Sequence, residues 1–418
     1  MSFEDFQLID NEAIDNSIVK RDYTKIYHNQ GANLNDSNQN VEFIFGENNN
    51  YHQIGNAYLE FDITVRNTAG NFTNASVIRL VNNAFAYCFK EATLATTGGM
   101  DIEINKYVGP VSTIMRILTS KDADLSSYFD KYGETVLDND NSLKQILINN
   151  HAEEANKGKI KGHLALENIF GFCKTFKKIT KNLGFHLIFK MNDLQDIIFT
   201  TIADDINVTI NSLYLYIPQI IPSTSTQVMF NESIMSNYTI TFDSWYTERK
   251  ISNDGRELQV DIASAQGINS PKYLIAAFQT NVRTAPNKNS NPAIFDSNHV
   301  TKYFVEIDGI RYPKDGVLTN FDENAYLDQY RDLKLFYKEY VGENLFLPYI
   351  SYPDMKYRYP IQIIDLRHQI DHITPKKIQL FEEFSEDPAN ERLFIILVRH
   401  RQIEMISDGN KIIEVKVI

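Results

Sequence analysis

The chain has 418 residues, 43% of them apolar, with 26 Phe, 23 Tyr and a single Trp. That length suits two domains better than one ordinary β-sandwich; the apolar content is enough for real cores, and the aromatic bias favours strands. A formal net charge of −13 and a pI near 5.2 repel phosphate, which argues against a histone-like nucleic-acid coat and against specific recognition of a nucleic-acid sequence.

Residues 1–40 are polar and Asn-rich. They read as an extended arm with one short helix at most, anchored on a partner through Phe3, Phe6, Leu8, Ile9, Ile14, Ile18 and Val19. The first strand is then Val41–Phe45. In Ala57–Arg66, Leu59, Phe61, Ile63 and Val65 alternate with Glu60, Asp62 and Thr64, the pattern of a half-buried sandwich strand. Phe85–Leu94 and Met100–Ile104 flank Thr96-Thr-Gly-Gly99. Paired glycines between alternating runs predict a hairpin; a phosphate-cradling loop would need more glycines and a helix N-terminus after them. Val111–Leu118 has helical spacing just after Pro110. Residues 120–160 read as a polar surface excursion with a short helix at Ser142–Asn150. Strands resume at Leu166–Cys173, Gly184–Lys190 and Asn207–Ile217, and Ile220–Gln227 reads as a linker.

The second half repeats the plan. Strands are expected at Tyr238–Phe242, Glu257–Ile262 and Tyr273–Gln279, with Thr284–Pro292 as a loop. Phe304–Tyr312 carries an Asp-Gly hairpin turn. Asp322–Tyr340 is a long helix with Tyr326, Tyr330, Leu333, Phe336 and Tyr337 on one stripe. Strands at Ile361–Leu366, Lys377–Phe384, Arg392–Val398 and Gln402–Ile406 close the chain. The expected fold is all-β: two tandem antiparallel eight-stranded jelly rolls with short helical insertions, an arm at 1–40, a first roll at 41–220 and a second at 221–418. The repeat is one of plan; the halves share no residue-level identity.

No catalytic, cofactor-binding or metal-binding residues are assigned. His368 and His372 are four apart, but Gln follows the first His where a zincin needs Glu, and the flanks are β-rich. On a strand the two imidazoles would lie roughly 13 Å apart. The acidic pairs Asp204-Asp205 and Glu382-Glu383 would point to opposite faces of a strand. Lys174, Lys177, Lys178 and Lys181 form a local basic patch, read as a solvated edge. Cys88 and Cys173 sit in apolar, strand-like contexts, as small core residues of a reduced compartment. The acidic start lacks the apolar stretch of a signal peptide, and no apolar run reaches the ~20 residues of a membrane span. Sequons at Asn35, Asn71, Asn74, Asn207, Asn231 and Asn237 are then chance matches in an Asn-rich chain.

The order of segments resembles the double jelly-roll major capsid proteins of eukaryotic double-stranded DNA viruses and virus-like elements, the polinton, adintovirus, virophage and nucleocytoplasmic large DNA virus lineage. Four stretches carry the likeness: Ala92–Ile104 with Ile114–Leu118; Leu166–Cys173 with the strand after it; Pro271–Gln279; and the closing set from Tyr359 to Ile406. The resemblance implies homotrimers whose six jelly rolls form a pseudo-hexagonal capsomer of an icosahedral shell. It implies neighbouring capsomers, penton and minor capsid proteins as partners, a place in the virion, and neither catalysis nor a cofactor. A carbohydrate-binding or carbohydrate-active double sandwich is the alternative, disfavoured by the single Trp245; a host-retained capsid-derived protein is another.

Overall fold

The computed structural model describes residues 17–29, 31–46, 50–67, 78–120, 158–200, 206–234, 238–252, 255–262, 271–280, 291–342, 350–367, 377–388, 391–407 and 412–417. The first unit is built from β1 (Ile18–Tyr27), β2 (Asn40–Phe45), β3 (Tyr58–Asn67), β4 (Phe89–Thr96), β5 (Asp101–Asn105), β6 (Lys159–Ala165), β7 (Phe185–Met191) and β8 (Ile206–Pro222). The second is built from β9 (Tyr238–Ile251), β10 (Glu257–Ile262), β11 (Pro271–Gln279), β12 (Val300–Ile307), β13 (Ile310–Leu318), β14 (Gln362–Asp365), β15 (Ile378–Phe384) and β16 (Arg392–Ser407). An added strand, β17 (Ile412–Val417), pairs with the end of β16.

The two units have one topology. In the first, the main strands of the sheets run in the order β1-β8-β3-β6 and β2-β7-β4-β5, with the two-residue strands Tyr51–His52 and Thr180–Lys181 added beside β8; in the second, β9-β16-β11-β14 and β10-β15-β12-β13. Adding eight to each label of the first unit gives the second. All these pairings are antiparallel. Each unit is therefore an eight-stranded jelly roll, as the strand pattern predicted. Alternation decides which residues face inward. Leu59, Phe61, Ile63 and Val65 of β3 are buried in one cluster, in which Phe61 packs on Phe85 and Phe89, and Phe89 on Phe189.

Helices occupy equivalent connections. In the first unit, α1 (Val108–Thr119) lies between β5 and β6, and α2 (Gly171–Thr175) lies between β6 and β7. After β8 comes α3 (Thr224–Ile234). In the second unit, α4 (Leu327–Val341) and α5 (Tyr352–Tyr357) lie between β13 and β14, the counterpart of the α1 connection.

Several expectations are corrected. Residues 18–27, placed in the arm, form β1 and pair with β8 from Ile18 opposite Pro222 to Tyr27 opposite Tyr214. The pairing consumes the proposed linker: β8 continues through Pro222, and 224–234 is helical. Leu166–Cys173, read as a strand, is a 3-10 turn at Leu166–Asn168 followed by α2. Its apolar run is buried as a helix because Glu103 receives the first N–H groups of that helix. Both cysteines follow suit: Cys88 ends the helical turn Ala84–Tyr87 that precedes β4, and Cys173 lies in α2. The long helix starts at Leu327 rather than Asp322, and the two segments around Val398 are one strand of 16 residues. The helix expected at Ser142–Asn150 and the anchors Phe3 to Ile14 lie outside the described residues.

One core position breaks the apolar rule. Glu382 on β15 is 1% exposed, opposite Tyr303 of β12. Burial pushes its pKa up to about 8, against a smaller opposite pull from Gln362. A carboxyl group raised in the folded state stabilises fully below the unfolded value, near 4.5. That stability is lost as pH climbs through the folded value. Thermal unfolding between pH 5 and pH 9 should show wild-type stability falling by up to about 1.4 kcal/mol per pH unit from this proton. Glu382→Gln should remove that share of the fall, leaving the share of Glu103, whose pKa burial also raises, to about 7; an unchanged slope would rule the assignment out. The buried thiols make a second prediction. Cys88 and Cys173 are free, fully enclosed, and pushed upward in pKa by burial. A thiol reagent should label neither in the native protein and both after unfolding.

Candidate interaction surfaces

The residues first considered for chemistry do not assemble into a site. His368, His372, Asp204 and Asp205 lie outside the described residues. Glu382 and Glu383 point to opposite faces of β15, as strand geometry requires: Glu382 is buried, whereas Glu383 forms an ion pair with Lys302 at 3.4 Å. Two lysines of the basic patch have local partners. Lys177 binds Glu167 and the carbonyl of Gly55, and Lys181 reaches Asn231 and lies over the ring of Tyr51. Thr96-Thr-Gly-Gly99 is the predicted hairpin turn between β4 and β5. No cluster of metal-ligating side chains occurs among the described residues.

Polar side chains converge instead where the two jelly rolls meet. Glu103 on β5, 3% exposed, accepts hydrogen bonds from three backbone N–H groups: Gly171 at 2.9 Å, Phe172 at 2.8 Å and Trp245 at 2.8 Å. The first two open α2; the third belongs to β9 of the other roll. Burial pushes the Glu103 pKa up to about 7, opposed by those three donors and by the charge of Arg399. Around it, the Asp243 N–H donates to Thr175 Oγ1 and the Lys106 N–H donates to Thr247 Oγ1. Arg401 donates to the carbonyl of Ile102, and Arg399 donates to Ser244. Asp243 accepts from Lys272 at 2.7 Å. Trp245 is buried, its Nε1 donating to Tyr340 of α4. It is a junction residue, not an exposed sugar platform.

Sequence reasoning missed this junction. The alternation of β5 shows only that Glu103 leaves the sheet on the other face from Ile102; the covering by a distant strand is a tertiary fact. The one local sign is Gly171. A Cβ there would lie 2.7 Å from Trp245 Nε1 and 2.8 Å from the carbonyl oxygen of Asp243, so only glycine lets α2 come this close to β9.

Exposed apolar residues collect elsewhere. On β1, Val19 and Tyr27 are 70% and 67% exposed. On α4, Leu327 and Leu335 border a concavity of about 450 Å³ whose rim carries Arg331, Lys334 and Lys338. On β13, Ile310 and Leu318 are exposed, as are Val228 and Met229 on α3.

A family model described as a double jelly roll-like domain matches residues 78–403. Among solved structures, PBCV-1 VP54 fitted into a reconstruction of the virophage Sputnik aligns with a TM-score of 0.60 at 9% identity, covering 95% of this chain and 96% of that one. The Faustovirus major capsid protein aligns with a TM-score of 0.60 at 10% identity, covering 96% and 92%. The mavirus major capsid protein aligns at 0.55 and 12% identity, covering 100% and 93%. At such identities the likeness is one of fold. No curated protein matches the chain in sequence.

The junction gives a direct test. Glu103→Ala strands three buried N–H groups and should cost at least ~3 kcal/mol in denaturant unfolding, with Glu103→Gln losing less. Gly171→Ala should cost about 1–3 kcal/mol through overpacking. Wild-type midpoints for these variants would remove Glu103 from its joining role.

Proposed function

This chain belongs to the double jelly roll-like family, and on that premise we propose that it is the major capsid protein of a double-stranded DNA virus or virus-like element. The observation that carries the reading is the pairing of two topologically identical jelly rolls through a buried, hydrogen-bonded junction. The full-length fold likeness to viral major capsid proteins supports it. Three such chains place six jelly rolls in a ring, a pseudo-hexagonal capsomer that tiles an icosahedral shell. The partners are further copies, neighbouring capsomers, and penton and minor capsid proteins; the location is the virion. The role is structural, with neither catalysis nor a cofactor.

Closed rotational symmetry with a head-to-tail contact lets one chain bury both its free sides. Obligate contacts of this kind bury upward of ~2,000 Å². Light scattering of the purified chain at micromolar concentration should therefore give the mass of three chains, and negative-stain images should show ring-like particles with a hexagonal outline. A stable monomer would refute the capsomer reading.

A further inference from the structure

Exposed apolar residues gather at one end of the first roll, around the helix that leads into the second. There β1 opens beside the close of β8. Ile18 faces Pro222, Lys20 faces Ile221, and the Ser223 N–H donates to the Ser17 carbonyl at 2.8 Å. α3 starts at the next residue and is fastened by two contacts. Phe230 packs edge-on against Tyr51, with ring centroids 5.3 Å apart, and Asn231 accepts from Lys181 at 2.8 Å. Val228 and Met229 of the same helix stand in solvent, as do Val19 on β1 and Ile221 on β8.

Cations rim this apolar end. Lys181 pairs in register with Tyr51, and its side-chain partner Asn231 is neutral. Arg21 donates to Gln53, also neutral, and Gln53 donates in turn to the carbonyl of Lys177. Lys178, the next residue, is exposed. Among the described residues, Arg21, Lys178 and Lys181 are therefore not matched by a carboxylate, in a chain whose net charge is −13.

The chain before Ser17 has the complementary chemistry. Residues 1–16 carry Glu4, Asp5, Asp10, Glu12 and Asp15 and no Lys or Arg, interleaved with Phe3, Phe6, Leu8, Ile9 and Ile14. Their junction with the described structure, Ser17, is bonded to the residue just before α3. Val228 and Met229 lie five and six residues beyond Ser223, about 8–9 Å along a helix. Three extended residues span ~10 Å, so Ile14 is within reach of both. A tether this short holds the segment at an effective concentration of roughly millimolar, above that of a second copy at micromolar concentration.

We propose that residues 1–16 fold back over this end of their own chain, with Ile14 against Val228 and Met229, and with Glu12 and Asp15 toward Arg21, Lys178 and Lys181. The segment is a strap. In the single chain it covers an apolar, basic surface that would otherwise be open to other copies or to acidic partners. The inference goes beyond the capsid reading and does not depend on it.

The test uses the full-length protein carrying Ile14→Cys with Met229→Cys, and a second variant carrying Ile14→Cys with Thr224→Cys. The native Cys88 and Cys173 are buried and do not compete. Thr224 is exposed and lies nearer to Ser17 than Met229 does, so a merely tethered segment would reach it first. Under mild oxidation, followed by non-reducing electrophoresis and peptide mass spectrometry, the Met229→Cys variant should form a disulfide within one chain. It should do so several-fold faster than the Thr224→Cys variant and at a rate independent of protein concentration. Adding Glu12→Lys and Asp15→Lys should slow it several-fold while leaving the thermal midpoint of the fold unchanged. Bonding at Thr224→Cys as fast or faster would mean a tether without docking and would overturn the strap. Disulfides mainly between chains would assign the surface to a second copy instead. A rate unmoved by the two lysines would overturn the charge pairing. None of these outcomes decides whether the chain forms trimers, which the scattering measurement reads separately.

Discussion

Much of this molecule turns on a single carboxylate placed where an edge strand would otherwise be open. Glu103 stands on β5 of the first jelly roll and takes the N–H of Trp245 from β9 of the second. The same group takes the first two N–H groups of α2, so one side chain fixes a strand, a helix start and a neighbouring domain together. A buried carboxylate costs several kcal/mol to desolvate, and only a full set of donors offsets that. The three N–H groups and the nearby Arg399 offset part of it, and burial still pushes the Glu103 pKa up to about 7. Gly171 is the steric condition for this arrangement, since any larger residue would hold α2 away from β9.

The junction also shows how an edge can be closed without a strand. β9 pairs with β16 on one side only. Its other side is met by side chains, Thr175 and Glu103, rather than by a ladder of backbone groups. Side-chain closure allows two sheets to meet without merging, so each jelly roll keeps its own topology while the apolar cluster runs on from the first roll into Phe242, Trp245 and Met405 of the second. A smaller cluster, built on Leu274, Val305 and Leu380, fills the second sandwich alone. Glu382 lies on the same strand as Leu380 and is buried with it, and burial pushes its pKa up to about 8.

Equal topology with unequal burial follows from the chain having two ends. An inner side of each roll is covered by its tethered sibling. The exposed apolar residues, Val19 and Tyr27 on β1 and Leu327 and Leu335 on α4 among them, lie outside that junction. The acidic balance of the whole chain, −13, favours solubility by mutual repulsion of copies.

The sequence by itself determined the strands and the plan. The alternation of Leu59, Phe61, Ile63 and Val65, the Gly-Gly and Asp-Gly turns, and the helical spacing after Pro110 are local signals, and local rules read them correctly. It also determined that adjacent acids on β15 diverge. Only the tertiary structure decided the rest. Ile18–Tyr27 has the composition of an arm, and it is a strand because β8 offers it a long partner. Leu166–Cys173 has the composition of a strand, and it is a turn and a helix because Glu103, over sixty residues away, caps that helix. The role of Glu103 was invisible for the same reason: a carboxylate on an alternating strand looks solvated until a distant element is folded over it. Periodicity reports which face a residue takes, whereas what covers that face depends on contacts remote in sequence.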